Sequence, residues 1–139
     1  MFTAKVYKVM VGSLSGTMEE VFAAKETIRK WNLENAERTG KLYLQTDWSA
    51  KTDALKDIDV VIGIIGNWIG NTKFIEDCIK EGKQVILFFN AFQDPHNTIP
   101  SEHEGVKTFK IQMQSCCFCA EYSSIAELRE LLNIELRTI

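Results

Sequence analysis

Ile58-Asp59-Val60-Val61-Ile62-Gly63-Ile64-Ile65 decides the fold, since almost every residue in this stretch is apolar and β-branched. Such a run is typical of a strand that helices cover on both faces of a parallel sheet. A second run of the same kind, Val85 to Phe89, follows a helical pattern that ends at Gly82. Because strands that alternate with helices are joined by right-handed crossovers, the two runs predict a doubly wound α/β fold.

Three further strands are predicted from short runs of β-branched, aromatic or alternating residues. They cover Ala4 to Val11, Leu42 to Gln45 and Phe109 to Met113. Strands in this alternation with helices favour the flavodoxin-like order 2-1-3-4-5. We therefore expect a single three-layer, flavodoxin-like α/β domain with a parallel sheet over residues 1–139.

Apolar residues at helical spacing predict the helices that cover this sheet. The first helix starts at Thr17, whose spacing from Glu20 fits a capping box, and it ends near Gly40. Its inner face is expected to hold Met18, Val21, Ala24, Ile28 and Trp31. The other helices are expected to run from Ser49 to Leu55, from Thr72 to Glu81 and from Ser123 or Ser124 onward.

One long segment is predicted to be a surface loop rather than a helix or strand. Ala91 to Gly105 contains both prolines and both histidines among many polar groups. Segments of this length without regular structure usually serve as lids or binding loops.

Composition limits the classes of function. The chain has 139 residues, of which 45% are hydrophobic and 25% charged, and its net charge is -3. An acidic chain without a basic block is not expected to bind nucleic acid. No apolar run approaches the ~20 residues of a membrane span, so no membrane association is predicted. The N-terminal residues lack the pattern of a secretory signal, which predicts a cytoplasmic protein.

Three of the four cysteines, Cys116, Cys117 and Cys119, lie close together in the sequence. A cytoplasmic chain would keep these thiols reduced. Their spacing lacks the paired motifs of a zinc site, so no metal and no other cofactor is predicted. We interpret them as free cysteines that pack as small apolar residues near the end of a strand.

Ligands of doubly wound sheets bind at the carboxyl ends of the strands, where the strand order reverses. This crevice lies between the first and third strands, which lead into the loops Gly12 to Gly16 and Gly66 to Asn71. Both loops are glycine-rich and precede helix N-termini, which suit an anionic or phosphate-bearing ligand. We expect the main pocket here. The residues predicted to bind the ligand are Gly12, Ser13, Ser15, Gly66, Asn67, Trp68, Asn71 and Asn90.

Several of these residues also have a purely structural interpretation. The glycine and serines of the first loop would then form an ordinary turn from strand to helix. Asn67 and Asn71 would cap a helix beside Trp68 at the rim, instead of binding and stacking on a base.

Short motifs spread over most of the chain carry a family resemblance. The first motifs are Val9-Met10-Val11-Gly12-Ser13-Leu14-Ser15-Gly16, Met18-Glu19-Glu20 and Trp31-Asn32. They resemble a TIR-like family whose members mostly have no defined function. The later motifs are Asp59-Val60-Val61-Ile62-Gly63, Gly66, Gly70 and Gly82-Lys83-Gln84-Val85. They are also similar to nucleoside 2-deoxyribosyltransferases and TIR-like NAD-processing domains. The resemblance implies a flavodoxin-like fold that handles nucleosides or nucleotides.

The catalytic glutamate of these families is missing from its expected position. The resemblance implies a glutamate one turn into the helix that ends at Gly82, where this sequence has Lys73 or Phe74. A carboxylate is needed there because glycosyl transfer passes through a cationic sugar. Glu76 and Asp77 lie one turn deeper, displaced by about 4.5 Å along the helix axis. Further departures from the family pattern occur at Leu14, Gly16 and Val21.

We therefore predict a TIR-like module that binds a small-molecule nucleoside or nucleotide without catalysis. One alternative is an enzyme of the deoxyribosyltransferase or NAD-cleaving type, with Glu76 as its catalytic carboxylate. A further alternative is a homotypic protein-interaction domain, since the resemblance also extends to TIR-like assembly modules. That alternative would make the chain a homo-oligomer.

Overall fold

A computed structural model describes residues 2–14, 16–46, 56–91 and 99–139. This part of the chain forms a five-stranded parallel sheet of order β2-β1-β3-β4-β5, which confirms the predicted strand order. The strands are β1 Lys5–Ser13, β2 Lys41–Thr46, β3 Val60–Ile65, β4 Gln84–Asn90 and β5 Phe118–Tyr122.

The helices of the described residues lie on both faces of the sheet. They are α1 Met18–Thr39, α2 Lys73–Lys80, α3 Pro100–Gln114 and α4 Ile125–Thr138. Buried side chains of α1 and α4 pack together on one face and form what we call the α1/α4 cluster. Those of α2 and α3 form the α2/α3 cluster on the opposite face. The helix predicted from Ser49 to Leu55 lies outside the described residues.

β3 is the central strand, as predicted. All of its residues are buried, and they alternate between the two layers of helices. Val60, Ile62 and Ile64 belong to the α1/α4 cluster, whereas Val61 and Ile65 belong to the α2/α3 cluster. The uninterrupted apolar run exists because neither face of this strand meets water.

The strand predicted at Phe109 to Met113 is wrong, because these residues lie in α3. The buried residues of this helix are Val106, Phe109 and Met113, which follow the helical spacing i, i+3, i+7. Phe109 and Met113 are four residues apart and share a face in a strand and in a helix, but Ile111 between them is 66% exposed, as a helix requires. The fifth strand is Phe118–Tyr122. Of the predicted surface loop, Pro100 to Gly105 lie in α3, and Phe92 to Thr98 lie outside the described residues.

The start of α1 differs from the predicted capping box. The Thr17 side chain makes no capping hydrogen bond to the helix. Its hydroxyl instead donates to Ser13 Oγ at 2.8 Å and is 3.0 Å from the Ile64 carbonyl oxygen. Met18 was expected on the inner face, but it is 70% exposed because the helix turns this first residue away from the sheet.

The Trp31-Asn32 motif attaches α1 to the edge strand β2. The Trp31 ring lies 5.0 Å from the Tyr43 ring, centroid to centroid. The Asn32 amide donates to the Tyr43 carbonyl oxygen at 2.7 Å and accepts from the Tyr43 backbone N–H at 2.9 Å. The Tyr43 hydroxyl in turn donates to the Leu136 carbonyl oxygen in α4 at 2.5 Å. These contacts explain the motif through packing and backbone hydrogen bonds.

Across the described segments, no helix combines the length and the apolar character that crossing a bilayer requires.

Candidate functional site

The loops after β1 and β3 leave the sheet side by side. Gly12 is in register with Gly63, and Ser13 with Ile64, in the parallel pairing of these two strands. Since β1 leads outward to β2 and β3 leads outward to β4, the strand order reverses between them. This is the topological position at which doubly wound folds place their ligands. Ser15, one of the predicted ligand-binding residues, lies outside the described residues.

Direct contacts hold the two loops together. The Leu14 backbone N–H donates to the Ile64 carbonyl oxygen at 3.0 Å, and the Gly70 N–H donates to the Leu14 carbonyl oxygen at 3.3 Å. A Cβ atom placed on Gly16 would lie 3.7 Å from the indole nitrogen of Trp68. Trp68 therefore lies against both loops, and 44% of its surface remains exposed.

The polar side chains of the two loops have different roles. Ser13 Oγ accepts from the Thr17 backbone N–H at 2.9 Å, which stabilises the turn into α1. Asn71 Oδ1 accepts from the Lys73 N–H at 2.9 Å, which supports the capping interpretation of this residue. Within the described segments, Asn67 Oδ1 is buried and has no hydrogen-bond partner. A buried unpaired acceptor costs about 1 to 3 kcal/mol, which favours a rearrangement of the side chain that gives this oxygen a donor.

Asn90, at the end of β4, lines a cavity of about 260 Å³ between the sheet and α3. The other residues around this cavity are Phe89, Ala91, His103, Val106, Lys107, Lys110 and Glu121. His103 Nδ1 is buried there and has no hydrogen-bond partner in the part of the chain that the structure describes. His103 was predicted to lie in a surface loop, but it lies in α3. His103 and Lys107 are four residues apart, as neighbours on one face of a helix are, and this spacing could have indicated α3.

Phe74 and Glu76 occupy different sides of α2. Phe74 is half-buried and packs against the α2/α3 cluster. Glu76 lies in the first turn of the helix and is exposed. Because each residue of an α-helix turns by about 100°, the two side chains point in nearly opposite directions.

The described residues contain no group of three or more histidine, cysteine, aspartate or glutamate side chains that could hold a metal ion. Cys78 is buried in α2, and its burial raises the pKa of the thiol to about 11. This thiol therefore packs in its neutral form within the α2/α3 cluster.

Comparison with known proteins identifies the fold but no family. No protein-family model and no curated protein matches the chain. A short-chain flavodoxin associated with a non-canonical PDU bacterial microcompartment is similar over 99% of both chains, with a TM-score of 0.54 and 12% sequence identity. The fold is flavodoxin-like.

A homoserine dehydrogenase from S. aureus is also similar, with a TM-score of 0.54 and 10% identity over 86% of this chain. The chain spans only 32% of the length of that dehydrogenase. At such identities the likeness concerns the fold alone. The resemblance to TIR-like domains stays a prediction.

Proposed function

We propose that this protein binds a nucleoside or nucleotide between the β1–α1 and β3–α2 loops and does not catalyse a reaction on it. The position supports this proposal, since flavodoxin-like sheets bind ligands where the strand order reverses. Gly12 and Gly66 lie at the ends of β1 and β3. Neither residue has a side chain that would block the approach of a ligand to the backbone.

The observation that carries the proposal is that Asn67 and Trp68 are adjacent in the loop after β3. The Trp68 indole offers an exposed surface on which a base can stack. Rotation of the Asn67 side chain would present its Oδ1, which is buried and lacks a partner among the described residues, to a base amino group or a ribose hydroxyl. An aromatic surface and an adjacent amide acceptor together match the two faces of a nucleoside, its π-face and its polar edge.

The charge near the crevice favours a ligand with few phosphates. Glu19 and Glu20 lie in the first turn of α1, directly after the β1–α1 loop. Their carboxylates oppose the attraction that the helix N-terminus exerts on an anion. A neutral nucleoside should therefore bind at least as well as the corresponding triphosphate.

We expect a purine nucleoside, NAD or a cyclic nucleotide to raise the thermal unfolding midpoint. A ligand at about 100 times its dissociation constant adds about 2.7 kcal/mol to the free energy of unfolding. Trp68→Ala should weaken binding by about 1 to 3 kcal/mol, which is the usual range for base–aromatic stacking. Differential scanning fluorimetry and isothermal titration calorimetry measure the two effects.

Phe118→Ala is the matched control for this experiment. Phe118 is 41% exposed, close to the value for Trp68, but it lies at the start of β5, away from both loops. This variant should bind the ligand as the wild type does. Failure of all three ligand classes to bind, or equal binding by Trp68→Ala and the wild type, would contradict the proposal.

Absence of catalysis is the second part of the proposal, and Glu76→Gln tests it. Incubation of NAD or deoxynucleosides with the wild type and with this variant should release no free base above background in either case. The reason is that Phe74 packs against the apolar cluster while Glu76 points away from it into solvent. Chromatography of the products measures base release. Turnover in the wild type that Glu76→Gln abolishes would instead establish the enzyme alternative.

A further inference from the structure

The solvent-facing side of α1 carries three large apolar side chains. Met18, Phe22 and Leu33 are 70%, 66% and 77% exposed. Because each residue of an α-helix turns by about 100°, these side chains and those of Glu26 and Arg29 fall within about 80° around the helix axis. We call these five residues the α1 ridge. A surface helix normally presents polar residues on this side, and large apolar side chains along one exposed stripe are typical of an interaction surface.

Two hollows lie beside the α1 ridge, on the side that borders β2. The first has a volume of about 520 Å³, and its lining includes Phe22, Arg29 and Gln45 of β2. The second has a volume of about 340 Å³, and its lining includes Arg29, Leu33 and Leu42 of β2. Each apolar end of the ridge therefore adjoins a hollow that can receive an apolar side chain from another molecule.

The order of residues along the α1 ridge is complementary to its own reverse. Phe22 precedes Glu26 by four residues, and Leu33 follows Arg29 by four. When two copies of α1 lie antiparallel about a two-fold axis midway between Glu26 and Arg29, each Phe22 is therefore level with the other copy's Leu33. Each Glu26 is likewise level with the other copy's Arg29. The same patch then supplies both sides of the contact, as a two-fold symmetric interface requires.

We propose that the α1 ridge is the contact surface of a two-fold symmetric dimer of this chain, in which the two α1 helices lie antiparallel. Contacts between Phe22 and Leu33 at both ends bury apolar surface and supply the affinity. Two ion pairs between Glu26 and Arg29 at the centre fix the register, because a shift by one turn separates the opposite charges. The chain carries a net charge of -3, but the ridge has one acidic and one basic residue, so two copies meet there without net repulsion.

Sedimentation equilibrium of the full chain over a range of concentrations tests the proposal. The wild type should approach the mass of two chains as its concentration rises. Phe22→Glu should raise the dissociation constant of the dimer by about 100-fold, because each dimer loses two apolar contacts. Ile111→Glu is the matched control, since Ile111 is also 66% exposed but lies in α3 on the opposite face of the sheet. This variant should associate as the wild type does. A wild type that stays monomeric up to about 1 mM, or equal association by the two variants, would overturn the proposal.

Charge reversal at the centre of the α1 ridge tests the antiparallel register. Glu26→Arg and Arg29→Glu should each weaken the dimer by about tenfold, because like charges then face one another across the axis. An equimolar mixture of the two variants should associate again, since one copy presents two arginines to two glutamates of the other. Recovery in the mixture also establishes that both variants are folded. If the mixture stays as dissociated as the separate variants, the register and the proposal are wrong.

Discussion

Asn32→Ala should lower the free energy of unfolding by about 2 to 4 kcal/mol, because it leaves two buried backbone groups without partners. Both groups belong to Tyr43, whose surface is only 2% exposed. The Asn32 amide bonds to the carbonyl oxygen and to the N–H group of this residue. Among the described strands β2 pairs only with β1, so the amide supplies contacts that a second neighbouring strand would otherwise provide.

Asn35→Ala is the matched control for this prediction, because it makes the same substitution one turn further along α1. The Asn35 side chain donates to the Trp31 carbonyl oxygen at 3.1 Å and accepts from the exposed Arg38. Both partners retain other hydrogen-bond partners in the helix or in water. We expect a change within about 0.5 kcal/mol. Urea unfolding measures both variants, and an equal loss of stability in the two would show that the pairing with β2 is unimportant.

Stability should fall at alkaline pH, and Tyr43 should account for much of the loss. Burial, with a smaller contribution from Tyr7, raises the pKa of the Tyr43 hydroxyl from 10.0 to about 12. Below the unfolded value both states hold the proton, and the stabilisation is fully present. As pH rises from 10.0 to about 12, the unfolded chain ionises first. About 2 to 3 kcal/mol is lost in this interval. Burial also raises the pKa of Tyr122, which adds to the loss.

Tyr43→Phe tests the assignment of this pH dependence. At neutral pH the variant should be less stable by about 1 kcal/mol, because it loses the hydrogen bond to the Leu136 carbonyl oxygen. Between neutral pH and about pH 12 its stability should decline less steeply than that of the wild type. Urea unfolding at a series of pH values gives both curves. Parallel curves would assign the alkaline loss to other groups.

The sequence predicted the candidate site only as a region. The predicted strand order placed this region at the glycine-rich loops after β1 and β3. The pairing of β1 with β3 confirms that the strand order reverses there. The individual side chains could not be assigned, because their hydrogen bonds depend on partners outside the motifs. Ser13 and Asn71 bond to nearby backbone groups, whereas Asn67 keeps an unpaired oxygen.

The sequence by itself determined the two buried strands, the strand order and the points at which α1 and α2 end. Continuous apolar runs predict strands that are buried on both faces. Glycines such as Gly40 and Gly82, both with positive φ, end helices through local chain geometry. Only the tertiary structure decided that Phe109 lies in a helix and that Thr17 bonds to the sheet. The physical reason is that residues four apart, such as Phe109 and Met113, share one face in a strand and in a helix. Burial against distant residues, such as the packing of Phe109 on Phe89, selects between them.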